Sequence, residues 1–183
     1  NPDGSRVDKS FKVADFTMEQ LKRDFVLRSP KQEMRTQIPT LEEYLKVCKE
    51  EDLLVFIEPK LNDPTGCHYM DIMACADTIF GRGNYIITSN NFANGVIRDS
   101  LGITDVPLMG ILYQTTYDDI ALKPDVIMAI STSRFEPEAY AANVARSKAD
   151  GLQTESHADN FERFDMINNA DIDYVSTDFL APD

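Results

Sequence analysis

Six short apolar segments, interleaved with longer segments of helical period, restrict this chain to an α/β fold built on a parallel sheet. The segments are Leu53–Ile57, Tyr85–Thr88, Leu108–Leu112, Val126–Ile130, Leu152–Thr154 and Tyr174–Ser176. Each interval leaves room for the crossover of about a dozen residues that parallel neighbours require. Unbroken apolar runs such as Val55-Phe56-Ile57 suit strands covered on both faces.

The helices announce their own starts. Thr17-Met-Glu-Gln20 has the pattern of a capping box, with Met18, Leu21 and Phe25 following on one face. Thr40-Leu-Glu-Glu43 and Asp159-Asn-Phe-Glu162 repeat the device. Further helices are predicted over 66–80, 91–101 and 136–148, with a short one over Tyr117–Leu122. Asn1–Arg6 reads as a Pro/Gly turn region, and Gly81-Arg82-Gly83 as a helix stop and return turn.

Two parallel architectures fit this alternation. A doubly wound sheet is complete at 183 residues, yet the chain lacks the Gly-x-Gly-x-x-Gly or Walker loop that would mark its nucleotide-binding switch point. A (β/α)8 barrel needs eight strands and about 250 residues. With six strands visible, the second reading is an incomplete barrel whose first part lies outside the sequence. The chain opens on Asn1 rather than Met, which leaves room for a processed, fused or truncated start.

Charge narrows the partners. Lys and Arg number 18 against 31 Asp and Glu, a net charge of −13, and Trp is absent. That balance argues against a sequence-independent grip on nucleic acid or on an anionic bilayer. No apolar run approaches the ~20 residues of a membrane span. A small anionic substrate stays open, because a metal ion inverts the local field. Cys48, Cys67 and Cys75 are odd in number and lack Cys-x-x-Cys spacing, so they read as ordinary thiols, with one disulfide plus one thiol as the alternative.

Glu58 and Lys60 form the sharpest constellation. They close an apolar strand, and their i,i+2 spacing points both side chains to one face. Ligands of parallel sheets bind at the carboxyl ends of strands, where this pair would sit. Glu58 could bind a hard cation and Lys60 an anionic oxygen; the plainer reading is a rim salt bridge. Of the two histidines, His68 opens the helix over 66–80 and reads as a surface or locally bonded residue. His157 lies in a loop just after a strand, with Glu155 and Asp159 nearby, and is a candidate acid or base. Asp71 and Asp77 read as a solvated helix face. Asp171, Asp173 and Asp183 read as turn and surface carboxylates, with Asp178 following a strand end. No Gly-x-Ser-x-Gly elbow supports a serine hydrolase.

Several stretches, in order, resemble the later part of a glycerophosphodiester phosphodiesterase domain. They are Lys12-Val-Ala-Asp-Phe-Thr-Met-Glu-Gln-Leu-Lys22, Ile38-Pro-Thr-Leu-Glu-Glu-Tyr-Leu45 and Phe56-Ile-Glu-Pro-Lys60, the last resembling that family's Glu-x-Lys strand. Ile86-Ile-Thr-Ser89, Leu152-Gln-Thr154 and Asp173-Tyr-Val-Ser-Thr-Asp178, before Phe179 and Pro182, follow. The resemblance implies a barrel of which about six strands are present. It also implies metal-dependent hydrolysis of a small phosphodiester to glycerol 3-phosphate and an alcohol, with Ca²⁺ or Mg²⁺ as the ion. By the same carry-over Glu58 is a metal ligand and Lys60 a substrate-phosphate or site-organising residue. Gln153, Glu155 and His157 are possible rim or substrate contacts.

The departures from the family matter as much. Where members usually carry Trp-Thr-Val-Asn, this chain has Gln153-Thr-Glu-Ser156, which removes an apolar wall and introduces Glu155. The family's His-Arg-Gly strand, Glu-x-Asp ligands and His-Asp element have no counterpart here. A missing N-terminal segment or companion chain is therefore expected, and this chain alone is expected to be inactive. Two other readings stand beside this one: a non-catalytic barrel module, and a glycoside hydrolase using Glu58 and Glu155.

Overall fold

The computed structural model describes residues 11–27, 31, 33, 35–89, 91–112, 127–158 and 161–177. The expectations for Asn1–Arg6, the Tyr117–Leu122 helix, Val126, the Asp159 cap, Asp178, Phe179, Pro182 and Asp183 lie outside these residues. The chain divides into two compact units, Asn1–Val47 and Cys48–Asp183.

In the first unit, α1 (Met18–Asp24) begins where its capping box places it. The Thr17 hydroxyl accepts from Gln20 N at 3.2 Å, while Gln20 Oε1 accepts from Thr17 N at 2.8 Å, so two otherwise orphaned amides are satisfied. Phe11, Phe16 and Phe25 meet edge to face, with centroids 5.2 to 5.9 Å apart. The box at Thr40 forms in the same way before α2 (Leu41–Glu50), with Glu43 also taking the Lys22 ammonium.

The second unit holds a six-stranded sheet: β1 (Phe56–Ile57), β2 (Ile86–Ser89), β3 (Leu108–Leu112), β4 (Ile127–Ile130), β5 (Gln153–Ala158) and β6 (Tyr174–Thr177). Every pairing is parallel, and the order in space is the order in sequence. Strand order never reverses, as it would in a doubly wound sheet. This is an open, strongly curled sheet, an incomplete barrel of the (β/α)8 type. Curling brings Phe56 of the first strand and Tyr174 of the last to 5.7 Å between ring centroids.

Crossovers run through α3 (Cys67–Phe80), α4 (Asn91–Gly95, extended by a π-type turn over Val96–Ser100), α5 (Pro137–Ala149) and α6 (Phe161–Asn168). Period-2 alternation divides the strands into two faces. On the outer face Leu112, Met128, Ile130 and Ala158 pack against Tyr140 and Val144 of α5 and Ile167 of α6. On the inner face Ile86, Met109, Ile127 and Ala129 form a second cluster, joined by Ile111 and Tyr174.

Two strands differ from the sequence reading by more than one residue at a boundary. β1 is confined to Phe56–Ile57, and Leu53 and Leu54 are exposed; an edge strand with one neighbour is held only where that neighbour reaches it. β5 runs four residues past Thr154, so Glu155 and His157 belong to a strand and not to a loop. The extension is polar in sequence, yet its outer face is buried: Ser156 is 0% exposed and bonded to both neighbouring elements.

Asp63 fixes the start of α3. Its two carboxylate oxygens accept from Thr65 N and Oγ1 and from His68 N, and they also meet His68 Nδ1 at 3.0 Å. The Thr65 hydroxyl and the His68 amide hold this carboxyl well below the usual carboxylate range. His68 is thus a locally bonded surface residue. Gly66, at φ 76°, lies in the left-handed region that strains any other residue, and a Cβ there would also push on the Leu101 side chain at 2.7 Å. Gly81 ends α3 at φ 83° and ψ 151°, a different positive-φ conformation.

Two carboxylates are more than a solvated face. Asp77 accepts from the Tyr85 hydroxyl at 2.7 Å and from Arg82 at 2.8 Å, tying α3 to the residue before β2. Asp173 accepts from Thr154 N and Oγ1, joining the approach to β6 with β5. Burial pushes the Asp173 carboxyl up, but those bonds, with Lys148 nearby, hold it below the ordinary value. Asp171 is a surface turn residue, at φ 52° and bonded to Lys148.

Candidate functional site

The inner face of the curled sheet opens into a cleft of about 630 Å³. Most of its lining comes from alternate positions along the strands: Phe56, Glu58 and Lys60 from β1 and its continuation, Thr88 from β2, Met109 and Ile111 from β3. Ala129 and Ser131 come from β4 and its end, Glu155 and His157 from β5, and Tyr174 and Ser176 from β6. Apolar side chains and rings line part of the cleft. The later positions along the strands bring charge and hydroxyls, which places the polar chemistry at the carboxyl ends.

Glu58 and Lys60 share this cleft, with Lys60 Nζ donating to Glu58 Oε1 at 2.5 Å. Lys60 is exposed over 78% of its side chain and Glu58 over 39%, so the pair stands at the mouth. Across the cleft, Ser176 Oγ donates to Glu155 Oε1 at 2.5 Å and lies 3.0 Å from His157 Nδ1. Register explains the trio: Ser176 is the partner of His157, and Tyr174 the partner of Glu155, so a hydroxyl on β6 meets two residues of β5 that share a face. Burial pushes the Glu155 carboxyl above its ordinary range, while the Ser176 hydroxyl and the His157 imidazole pull it back.

Supports from outside hold His157. The Thr132 hydroxyl donates to the His157 carbonyl at 3.0 Å, and Arg163 of α6 donates to the Thr132 carbonyl. Gln153 faces the same side as Glu155 but takes the Tyr174 hydroxyl at 3.3 Å and is not among the residues that line the cleft. Four of the five residues singled out in the sequence therefore converge: Glu58, Lys60, Glu155 and His157. The sequence reading missed Ser176, Ser131, Thr88, Phe56 and Tyr174. Period-2 spacing from Tyr174 would have put Ser176 on the same face, but only the β5–β6 register joins it to Glu155.

Ca²⁺ and Mg²⁺ take six or more oxygen ligands, part of which can be water. Among the described residues no group of three or more His, Cys, Asp or Glu side chains gathers to hold an ion. Glu58 is one carboxylate, already paired with Lys60. The described residues of this chain do not by themselves make a site for such a cation. The three cysteines are free thiols: Cys48 buried, Cys75 half-buried and Cys67 exposed. No helix among the described residues is long and apolar enough to cross a membrane.

No family model matches the sequence, and no curated protein matches it. Among solved structures, the chain is similar to a glycerophosphodiester phosphodiesterase from Parabacteroides distasonis, with a TM-score of 0.64 and 17% identity. The match covers 88% of this chain and 66% of that one. At this identity the likeness concerns the fold.

Proposed function

We propose that the cleft is one wall of a phosphodiesterase site, and that the reaction it serves is hydrolysis of a glycerophosphodiester to glycerol 3-phosphate and an alcohol. One observation carries the reading: the Glu58-Pro-Lys60 element stands at the carboxyl-end mouth of a barrel-like sheet, inside its cleft. In this reading the Lys60 ammonium meets a phosphoryl oxygen, and Glu58 fixes where that ammonium sits. The resemblance implies Ca²⁺ or Mg²⁺ and a pair of histidines as well. The proposal assigns those parts to a further segment or a companion chain that adds strands at the open edges of β1 and β6.

The chain by itself then binds the phosphate end of the ligand without turning it over. Binding that does not strengthen toward the transition state leaves the rate unchanged. Nuclear magnetic resonance of the folded chain titrated with glycerol 3-phosphate should show shifts at Lys60, Ser131 and Ser176, weakened in Lys60→Met. No glycerol 3-phosphate should be released from a glycerophosphoalcohol, with or without Ca²⁺ or Mg²⁺. Equal binding by the wild type and Lys60→Met would overturn the assignment. Glu58 and Glu155 also face one cleft, as a glycoside hydrolase would need. Hydrolysis of an aryl glycoside that disappears in both Glu58→Gln and Glu155→Gln would replace the phosphodiester reading with that one.

A further inference from the structure

Where β5 and β6 run side by side, three inward side chains form a continuous hydrogen-bonded row, from Glu155 through Ser176 to His157. We propose that this row is a proton relay serving the cleft, in which His157 exchanges a proton with the occupant and Glu155 stores it. The relay rests on the reading of the cleft above only for the identity of that occupant.

With Glu155 ionised its oxygens can only accept, and that sets the direction of each bond. Ser176 has one hydroxyl hydrogen, and it goes to Glu155 Oε1. Toward His157 the same oxygen is therefore an acceptor, and Nδ1 must carry a hydrogen. In the neutral imidazole that leaves Nε2 as the nitrogen that gains or gives a proton. Starting from the imidazolium, the Nδ1–H bond breaks as a new O–H bond forms at Ser176. The original Ser176 O–H bond breaks in concert, and an O–H bond forms at Glu155 Oε1. Imidazolium and carboxylate become imidazole and carboxylic acid, with every proton accounted for. Burial of Glu155 favours the neutral form that receives the proton.

Among the described residues that line the cleft, those of β3, β4 and β6 beside the row carry no charge. From β4, Ala129 and Ser131 face it without charge, and from β3 come Met109 and Ile111. On β6 the neighbour is Tyr174, and the Glu58–Lys60 pair belongs to the opposite edge strand. Tyr140 of α5 feels the Glu155 charge from the outer face. Mere packing would not require two titratable groups to share one hydroxyl on the polar side of a cleft, whereas a relay does.

The sequence makes the test clean, because the chain has two histidines. His68, 72% exposed and bonded to Asp63, is an internal reference. Ring proton and nitrogen shifts of both histidines are followed against pH in the wild type, Glu155→Gln, Ser176→Ala and Ser176→Thr. At alkaline pH, with Glu155 ionised, neutral His157 should be in the Nδ1–H form, whereas the imidazole formed by transfer to Glu155 keeps its hydrogen on Nε2. Its midpoint should fall by about one pH unit in Glu155→Gln, as expected when an opposite charge is removed. Ser176→Ala should uncouple the two groups, so that adding Glu155→Gln moves His157 little further, and Ser176→Thr should restore the coupling. His68 should not move in any variant. An Nε2–H form at alkaline pH, where Glu155 is ionised, or a His157 midpoint unchanged in Glu155→Gln, would overturn the relay, and neither reading needs Ser176→Ala to fold. Coupled titration with no glycerol 3-phosphate binding would reject the phosphodiester reading and keep the relay. Uncoupled titration rejects the relay whatever the cleft binds.

Discussion

The outer face of β5 should be as sensitive to mutation as its inner face, because a buried hydroxyl pair holds it. Tyr140, 1% exposed, donates to Ser156 Oγ at 2.8 Å, and Ser156, 0% exposed, donates to the Ile130 carbonyl at 2.5 Å. The path links α5, β5 and β4, and Ser156 lies between Glu155 and His157 in sequence. Tyr140→Phe removes one neutral hydrogen bond while Ser156 keeps its carbonyl partner, a cost of about 1 kcal/mol. Ser156→Ala removes both bonds and strands the Tyr140 hydroxyl in the core, which raises the cost to about 2–3 kcal/mol. The double variant has no stranded hydroxyl, so it should cost less than the two singles together by about 1 kcal/mol. Urea unfolding of the three variants measures this, with an unchanged denaturant slope as the check that the unfolded state is the same. In Tm the Ser156→Ala loss corresponds to roughly 4–12 °C for a chain of this size. Additive costs, or a Ser156→Ala variant no less stable than Tyr140→Phe, would refute the reasoning.

Two further outcomes follow from other parts of the molecule. Lys22 first, and the Thr40 amide next, lower the Glu43 carboxyl from 4.5 to about 2. A depressed carboxyl stabilises the fold above its unfolded value and loses that contribution as pH falls toward 2. Glu43→Gln should therefore flatten the acid limb of a stability–pH curve and leave its shape near neutrality unchanged; an identical acid limb would argue against the Lys22 pairing. Thiol labelling of the native chain should modify Cys67 first, Cys75 more slowly and Cys48 only on unfolding, following their exposure. Fast native modification of Cys48, read by peptide mass, would contradict its burial.

Sequence alone revealed the architecture because its evidence is local. Capping boxes at Thr17 and Thr40 and apolar strands at Ile86 and Leu108 each depend on neighbours a few residues away. Spacing left room for a crossover in every interval and so allowed parallel pairing, but it fitted a doubly wound order as well; the sequential order belonged to the barrel reading that the resemblance favoured. The far half of β5 was illegible for a physical reason. Its buried side carries Ser156, whose burial depends on a tyrosine sixteen residues earlier in the chain. Glu58 and Lys60 were legible as a pair because a strand's period of two aligns them without reference to any other strand. Ser176 was not, because its partners lie on β5, and nothing in the sequence of β6 states which residues of β5 stand opposite.

The contact between Phe56 and Tyr174 has a consequence for the order of folding. These rings come from the first and last strands of the sheet, so the loop they close spans nearly the whole second unit. Loop-closure entropy grows with length, and neighbouring strands in sequence are also neighbours in space, so pairing can proceed stepwise from strand to strand. Stepwise pairing therefore predicts that the ring contact forms after the five strand pairings, once they have curled the sheet far enough. The chain contains no Trp, so a single indole placed by Phe56→Trp would report that closure against a dark background. Its signal should lag behind the circular dichroism of the sheet, a delay that times the curling of an open sheet.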